Sequence, residues 1–114
     1  MAWTAWRKLA EKGTWYDDKF DYDGPTCYEL AIRGPRGGEH TTVYCGHSKN
    51  EDRRMLDYGS NGSHLEDIIH RHLKDGWHLH YRGWCCPSKE HAEMMERRML
   101  NKSDYPWNIL LNLS

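Results

Sequence analysis

The chain lacks a charge bias. Its 114 residues carry 16 Lys and Arg against 17 Asp and Glu, a formal net charge of −1. No global basic field exists to attract a polyanion, so any contact with nucleic acid must rest on a local cluster of positive charge. Arginines do cluster, at Arg53/Arg54, Arg71, Arg82 and Arg97/Arg98. Long apolar runs are missing too. No stretch is long enough to span a membrane, and the N-terminus has no continuous apolar segment of the kind a secretory leader needs. The expectation is an intracellular protein, in the cytoplasm or nucleus of a host cell, neither secreted nor membrane-bound. Phenylalanine is nearly absent, with one residue against six Trp and seven Tyr. Aromatics with a polar tip suit a wet binding face as well as the edge of a core.

The four cysteines are Cys27, Cys45, Cys85 and Cys86, and no Cys-x-x-Cys pair occurs. That pattern favours free thiols in a reduced compartment over a disulfide framework. Eight histidines (His40, His47, His64, His70, His72, His78, His80 and His91) raise a metal reading. A structural zinc site needs closely spaced Cys and His pairs. His78-Leu79-His80 with Cys85 comes nearest, but the spacing fits no usual pattern. Solvated histidines on a polar strand face are the plainer account.

The length suits one domain with a modest core. Residues 1–12 read as a helix, with Trp3, Trp6 and Ala10 on one stripe and Gly13 at its end. Such a helix either docks its tryptophans on the core or offers them to a partner chain. An irregular lead-in follows to Gly24-Pro25. Residues 27–33 alternate, with Tyr28, Leu30 and Ile32 on one side and Glu29 and Arg33 on the other. A turn cluster at Gly34-Pro35-Arg36-Gly37-Gly38 leads to a return strand over 41–46. Antiparallel pairing then brings Tyr28 and Tyr44 to one end of the hairpin.

The stretch Val43–Arg54 turns at Gly46 and opens a helix, with Asn50 as N-cap and Glu51 and Asp52 in its first turn. Arg54 and Tyr58 share a face of that helix. A phenol and a guanidinium presented to one surface suit a phosphate. Ser63-His64-Leu65-Glu66 is a capping box. Leu65, Ile68, Ile69, His72 and Leu73 form the next helical stripe, on which His72 reads as a packed residue. Residues 77–85 alternate again as a third strand. Ser88 caps a last helix over 89–101, whose stripe is Ala92, Met95, Met99 and Leu100. Glu96 falls at the margin of that stripe, where an acid is costly unless it serves something. Its plain partners are Lys89, Arg97 or Arg98, while Glu90 and Glu93 lie further round towards solvent. The apolar tail 105–111 must pack back onto the sheet.

These elements predict an α/β sandwich. A small three-stranded sheet, antiparallel or mixed, is flanked by helices and preceded by an N-terminal helix. Residues 1–25 form the helix and lead-in, and 26–114 the domain proper, one unit overall.

At this point the residues resemble the GIY-YIG nuclease family. Tyr44-Cys45-Gly46 is similar to the second half of the name motif, with Cys45 for isoleucine. In Thr26-Cys27-Tyr28 only the tyrosine of the first half survives. Arg54 falls at the position of the family's helix arginine. Tyr58 stands where many members have histidine or tyrosine. Ala92-x-x-x-Glu96 resembles the segment with the metal-binding glutamate, and Asn108 matches the asparagine that closes the domain. The likeness covers about residues 26–111. It implies a standalone, metal-dependent DNA endonuclease of phage, virus or restriction-like type.

One divalent ion, Mg²⁺ or Mn²⁺, would then sit on Glu96, since a hard cation takes few protein carboxylates and keeps its waters. Tyr28 would serve as general base and Arg54 would stabilise phosphate charge. Tyr44, Tyr58, Lys49 and His47 would orient water or phosphate. Asn108 would fix the tail and the local network. DNA is the expected partner. A homodimer or a partner protein would supply specificity, because little chain is left for a separate DNA-reading part. Two other classes stay open: a nucleic-acid-binding module without catalysis, and a small zinc-stabilised interaction domain.

Overall fold

A computed structural model describes residues 3–11, 14–15, 24–49 and 64–113 of the chain. Five strands make one antiparallel sheet: β1 (Arg7–Glu11), β2 (Thr14–Trp15), β3 (Thr26–Gly34), β4 (Gly37–Ser48) and β5 (His78–Cys85), in the order β2-β1-β5-β3-β4. Among the described residues three helices accompany it: α1 (Glu66–Lys74), α2 (Lys89–Lys102) and α3 (Pro106–Leu113). None of the helices among the described residues is long and apolar enough to cross a membrane.

The expected hairpin is present, with β3 and β4 joined at Pro35-Arg36 and left-handed backbone at Gly37 and Gly38. β4 is longer than the alternation suggested. It starts at Gly37 and continues through Gly46 to Ser48, so Gly46 is not a turn. β4 also carries a bulge. Leu30 pairs with Tyr44 and Ala31 with Thr42, which leaves Val43 as the extra residue. A bulge re-aims the side chains beyond it, and here Val43 and Tyr44 both meet the same core.

The N-terminal segment is a strand, not the expected helix, and it widens the sheet beyond the three strands foreseen. β1 pairs with β5 through Arg7 and Tyr81, Lys8 and His80, and Ala10 and Leu79. The physical reason is local against non-local. A helix of about a dozen residues is marginal alone. Without β1, β5 would leave a row of backbone donors and acceptors open along its edge. Trp3 and Trp6 do not form a helical stripe. The centroid of each ring lies 4.6 Å from the Arg82 guanidinium carbon, a cation–π arrangement.

Each face of the sheet has its own core. One packs Leu9, Tyr28, Leu30, Ile32, Leu79 and Tyr81 against Leu65, Ile69 and Leu73 around α1 and against Trp107 of α3. Each fully buried aliphatic side chain there contributes about 2 kcal/mol. His72 is packed as expected, its Nδ1 2.8 Å from the Ile68 carbonyl and its ring against Trp77 and Trp107. α1 has Leu65 at its N-cap with no side-chain cap, and Ser63 lies outside the described residues.

The other face packs Cys27, Cys45 and Cys86 with Ala92, Met95 and Met99 of α2 and with Tyr105. Ser88 caps α2 as expected, accepting from the His91 amide at 3.2 Å. Leu100, expected in the apolar stripe, is exposed. The second face also buries charge. Glu29, 3% exposed, accepts from Arg82 Nε at 2.7 Å and from the Tyr105 hydroxyl at 2.5 Å. Burial first, then the bond to Glu29, pushes the Tyr105 phenol above its ordinary range.

Candidate active site at the end of the edge strand

β4 is the outer strand of the sheet. Four successive residues near its end, Tyr44 to His47, each hold a different partner. Tyr44 points to the α1 face. Its ring centroid lies 6.3 Å from that of Tyr28, and its hydroxyl is 3.2 Å from His64 Nε2.

Cys45 is gripped from outside through its backbone. Its N–H donates to Asn108 Oδ1 at 2.8 Å, and its carbonyl accepts from Asn108 Nδ2 at 3.0 Å. An edge strand exposes unpaired backbone groups, and one asparagine side chain on α3 satisfies a donor and an acceptor at once. The Cys45 thiol lies 4.0 Å from that of Cys27. That contact and burial push its pKa far up, so it is an inert thiol and not a nucleophile.

Gly46 makes room for Tyr28. A Cβ on Gly46 would sit 2.5 Å from the Tyr28 hydroxyl and 2.6 Å from its Cζ. Only glycine lets the Tyr28 ring cross β4 there. The spacing Tyr-x-Gly on one strand and a tyrosine opposite on the next is thus a packing unit. Gly46 and Tyr28 are cross-strand partners.

His47 points to the other face and reaches α2. Its Nδ1 is bonded to Glu96 Oε2, and its Nε2 lies 3.5 Å from Glu93 Oε1. Glu93 in turn pairs with Lys89 at 3.7 Å. The expected partners of Glu96, Lys89, Arg97 or Arg98, are therefore not its partners here. Lys89 serves Glu93, which is less solvated than its position round the helix suggested. Both His47 and Glu96 keep about a quarter of their side chains in water, 29% and 23%.

The structure thus brings Tyr28 together with Tyr44 on one face, and Glu96 together with His47 on the other. The two pairs are joined through consecutive residues of one strand. Among the described residues β4 is the outer strand there. Lys49 follows directly and is exposed. Arg54, Tyr58 and the helix that Asn50 would open lie outside the described residues. Sequence reasoning missed the contact of His64 with Tyr44. It also missed the bracing of His47 by Glu93, although Glu93 and Glu96 share a flank of α2 by their spacing of three.

A family model described as GIY-YIG domain-containing protein matches residues 22–114. The chain belongs to the GIY-YIG domain family, and it is a nuclease-type domain with DNA as its substrate. No curated protein and no solved structure matches the chain.

A divalent cation would find at this site the partly exposed carboxylate of Glu96, with Glu93 across the His47 ring. Among the described residues no group of three or more His, Cys, Asp or Glu is placed to hold a metal. A partly exposed carboxylate suits a hard cation that takes few protein ligands and keeps most of its waters, as Mg²⁺ does.

Proposed function

We propose that the chain is a metal-dependent DNA endonuclease that hydrolyses phosphodiesters at the end of β4. This reading draws on one observation above all. Tyr28, Tyr44 and Glu96 are all held within a four-residue span of the edge strand, Tyr28 by the gap at Gly46 and Glu96 by His47. The Tyr28 hydroxyl takes the proton of the attacking water as general base. Tyr44, held by His64, orients that water or the phosphate. Arg54 stabilises the charge that grows on the phosphate oxygens, with a planar fork of donors. Lys49 and Tyr58 add contacts to the phosphate chain. Glu96 would hold Mg²⁺ or Mn²⁺, which would supply Lewis-acid polarisation of the phosphate. Asn108 supports the site by fixing the backbone at Cys45. Cutting both strands of a duplex with one site per chain calls for a homodimer or a partner protein.

A second reading, a nucleic-acid-binding module without catalysis, draws on the burial of Tyr28, 2% exposed. A plasmid-relaxation assay with Mg²⁺ or Mn²⁺ separates the two. The expected outcome is nicking or linearisation by the wild type. Glu96→Ala and Tyr28→Phe each lose about 100-fold or more in rate while still folded. A wild type that shifts DNA on a gel yet cuts nothing, across metals and pH, hands the site to the binding module.

A further inference from the structure

We propose that His47 is a positioning residue for the carboxylate of Glu96, setting the orientation in which Glu96 holds a divalent cation. This rests on the reading of Glu96 as the cation's ligand. An ionised carboxylate only accepts hydrogen bonds. His47 Nδ1 therefore carries a hydrogen and donates it to Glu96 Oε2. That leaves Oε1 of Glu96, with its lone pairs, for a cation and its waters.

A second carboxylate lies near the ring's other nitrogen. His47 Nε2 lies 3.5 Å from Glu93 Oε1, and Glu93 is tied to Lys89. The chain of contacts Lys89, Glu93, His47, Glu96 leaves α2, crosses to β4 and returns to α2. The anchor on β4 is stiff. Asn108 clamps the backbone two residues earlier, and Cys27 on β3 is the cross-strand partner of His47. A glutamate on a helix has three rotatable torsions, and a fixed imidazole removes most of that freedom before the cation arrives. Hydrogen-bond partners of a ligating carboxylate commonly govern metal affinity by 10–100-fold. A brace that only docked α2 on the sheet would change stability and leave the affinity of the folded protein alone.

The test is Mn²⁺ binding to the full chain without DNA, read from the electron paramagnetic resonance signal of free Mn²⁺, with folding checked by circular dichroism. Glu96→Gln is expected to lose binding. His47→Leu weakens it about 10–100-fold, and His47→Gln, whose amide can donate in place of Nδ1, recovers most of the loss. If His47→Leu does not fold, His47→Asn takes its place, since its amide is too short to reach Glu96, and it is expected to weaken binding at least ten-fold. Wild-type affinity in the folded His47 variant, or tighter binding that marks the imidazole as a competitor, overturns the proposal and leaves Glu96 as ligand. Unchanged binding in Glu96→Gln overturns the ligand reading itself, and the role of His47 with it.

Discussion

Glu29 and Leu30 are neighbours on β3 and are equally buried, yet they belong to different worlds. Leu30 sits on the α1 face among aliphatic and aromatic side chains. Glu29 sits on the α2 face, bonded to Arg82 and Tyr105. One face is held by non-directional burial, which tolerates approximate shape. The other adds to its own apolar cluster directional polar pairs, which are costly when half-made. The candidate site uses both. The phenols ride on the apolar face, where packing locks their rings. The carboxylate rides on the polar face, where hydrogen bonds aim it.

The sharpest way to break the comparison is to remove one partner from the polar face. Glu29→Ala is expected to cost about 3–5 kcal/mol, because it leaves Arg82 without its counter-charge. Leu30→Ala should cost a similar amount, about 2–5 kcal/mol, by cavity formation. The two differ on repair. Combining Glu29→Met with Arg82→Met and Tyr105→Phe should restore most of the stability, because no polar group is then stranded. Urea unfolding of the single and combined variants measures this, and an additive triple variant would show that the network is not coupled.

Acid separates the faces next. His80 is buried, with its Nδ1 2.7 Å from His40 Nε2 and its Nε2 without a partner among the described residues. Burial first, and then the neighbouring His40, lowers its pKa to about 4 from the ordinary 6.5. The unfolded chain takes up that proton more readily than the folded one. The stability is therefore fully present above pH 6.5 and is lost as pH falls through 4. Between pH 7 and pH 4.5 the loss from this group is about 2–3 kcal/mol. His80→Gln should flatten that part of the pH dependence, whereas Leu30→Ala should leave its slope unchanged.

The smallest expected effect lies where the faces meet. Gly46→Ala should cost about 1–3 kcal/mol, since the new methyl group must displace the Tyr28 ring. In a Tyr28→Ala background the same change should be nearly free. Equal losses in both backgrounds would show that Gly46 serves some other purpose.

Much of this was legible from the residues. Period-two alternation placed β3 and β5, and a 3.6 period placed α1 and α2. Ser88 was readable as a cap, and Tyr28 and Tyr44 as neighbours. The α/β class and the family followed from those elements carrying the right residues in the right order. Other features were not legible. Trp3, Trp6 and Ala10 fit a helical stripe by spacing, but the open ladder of β5 claimed the segment as a strand. The bulge at Val43 has no local signal, since it depends on which residue of β3 lies opposite. The partners of Glu29 had no local signal, because Arg82 and Tyr105 are far away in sequence.

By itself the sequence determined the local matters: the type of most elements, the alternation along the strands, and the family. These depend on chain stereochemistry and on spacing within a few residues. Only the tertiary structure decided who meets whom. It set Glu96 against His47 rather than its helix neighbours, tied Asn108 to the backbone of Cys45, and placed phenols and carboxylate on opposite faces of one edge strand. Those contacts join residues dozens of positions apart, and a one-residue bulge is enough to redirect them.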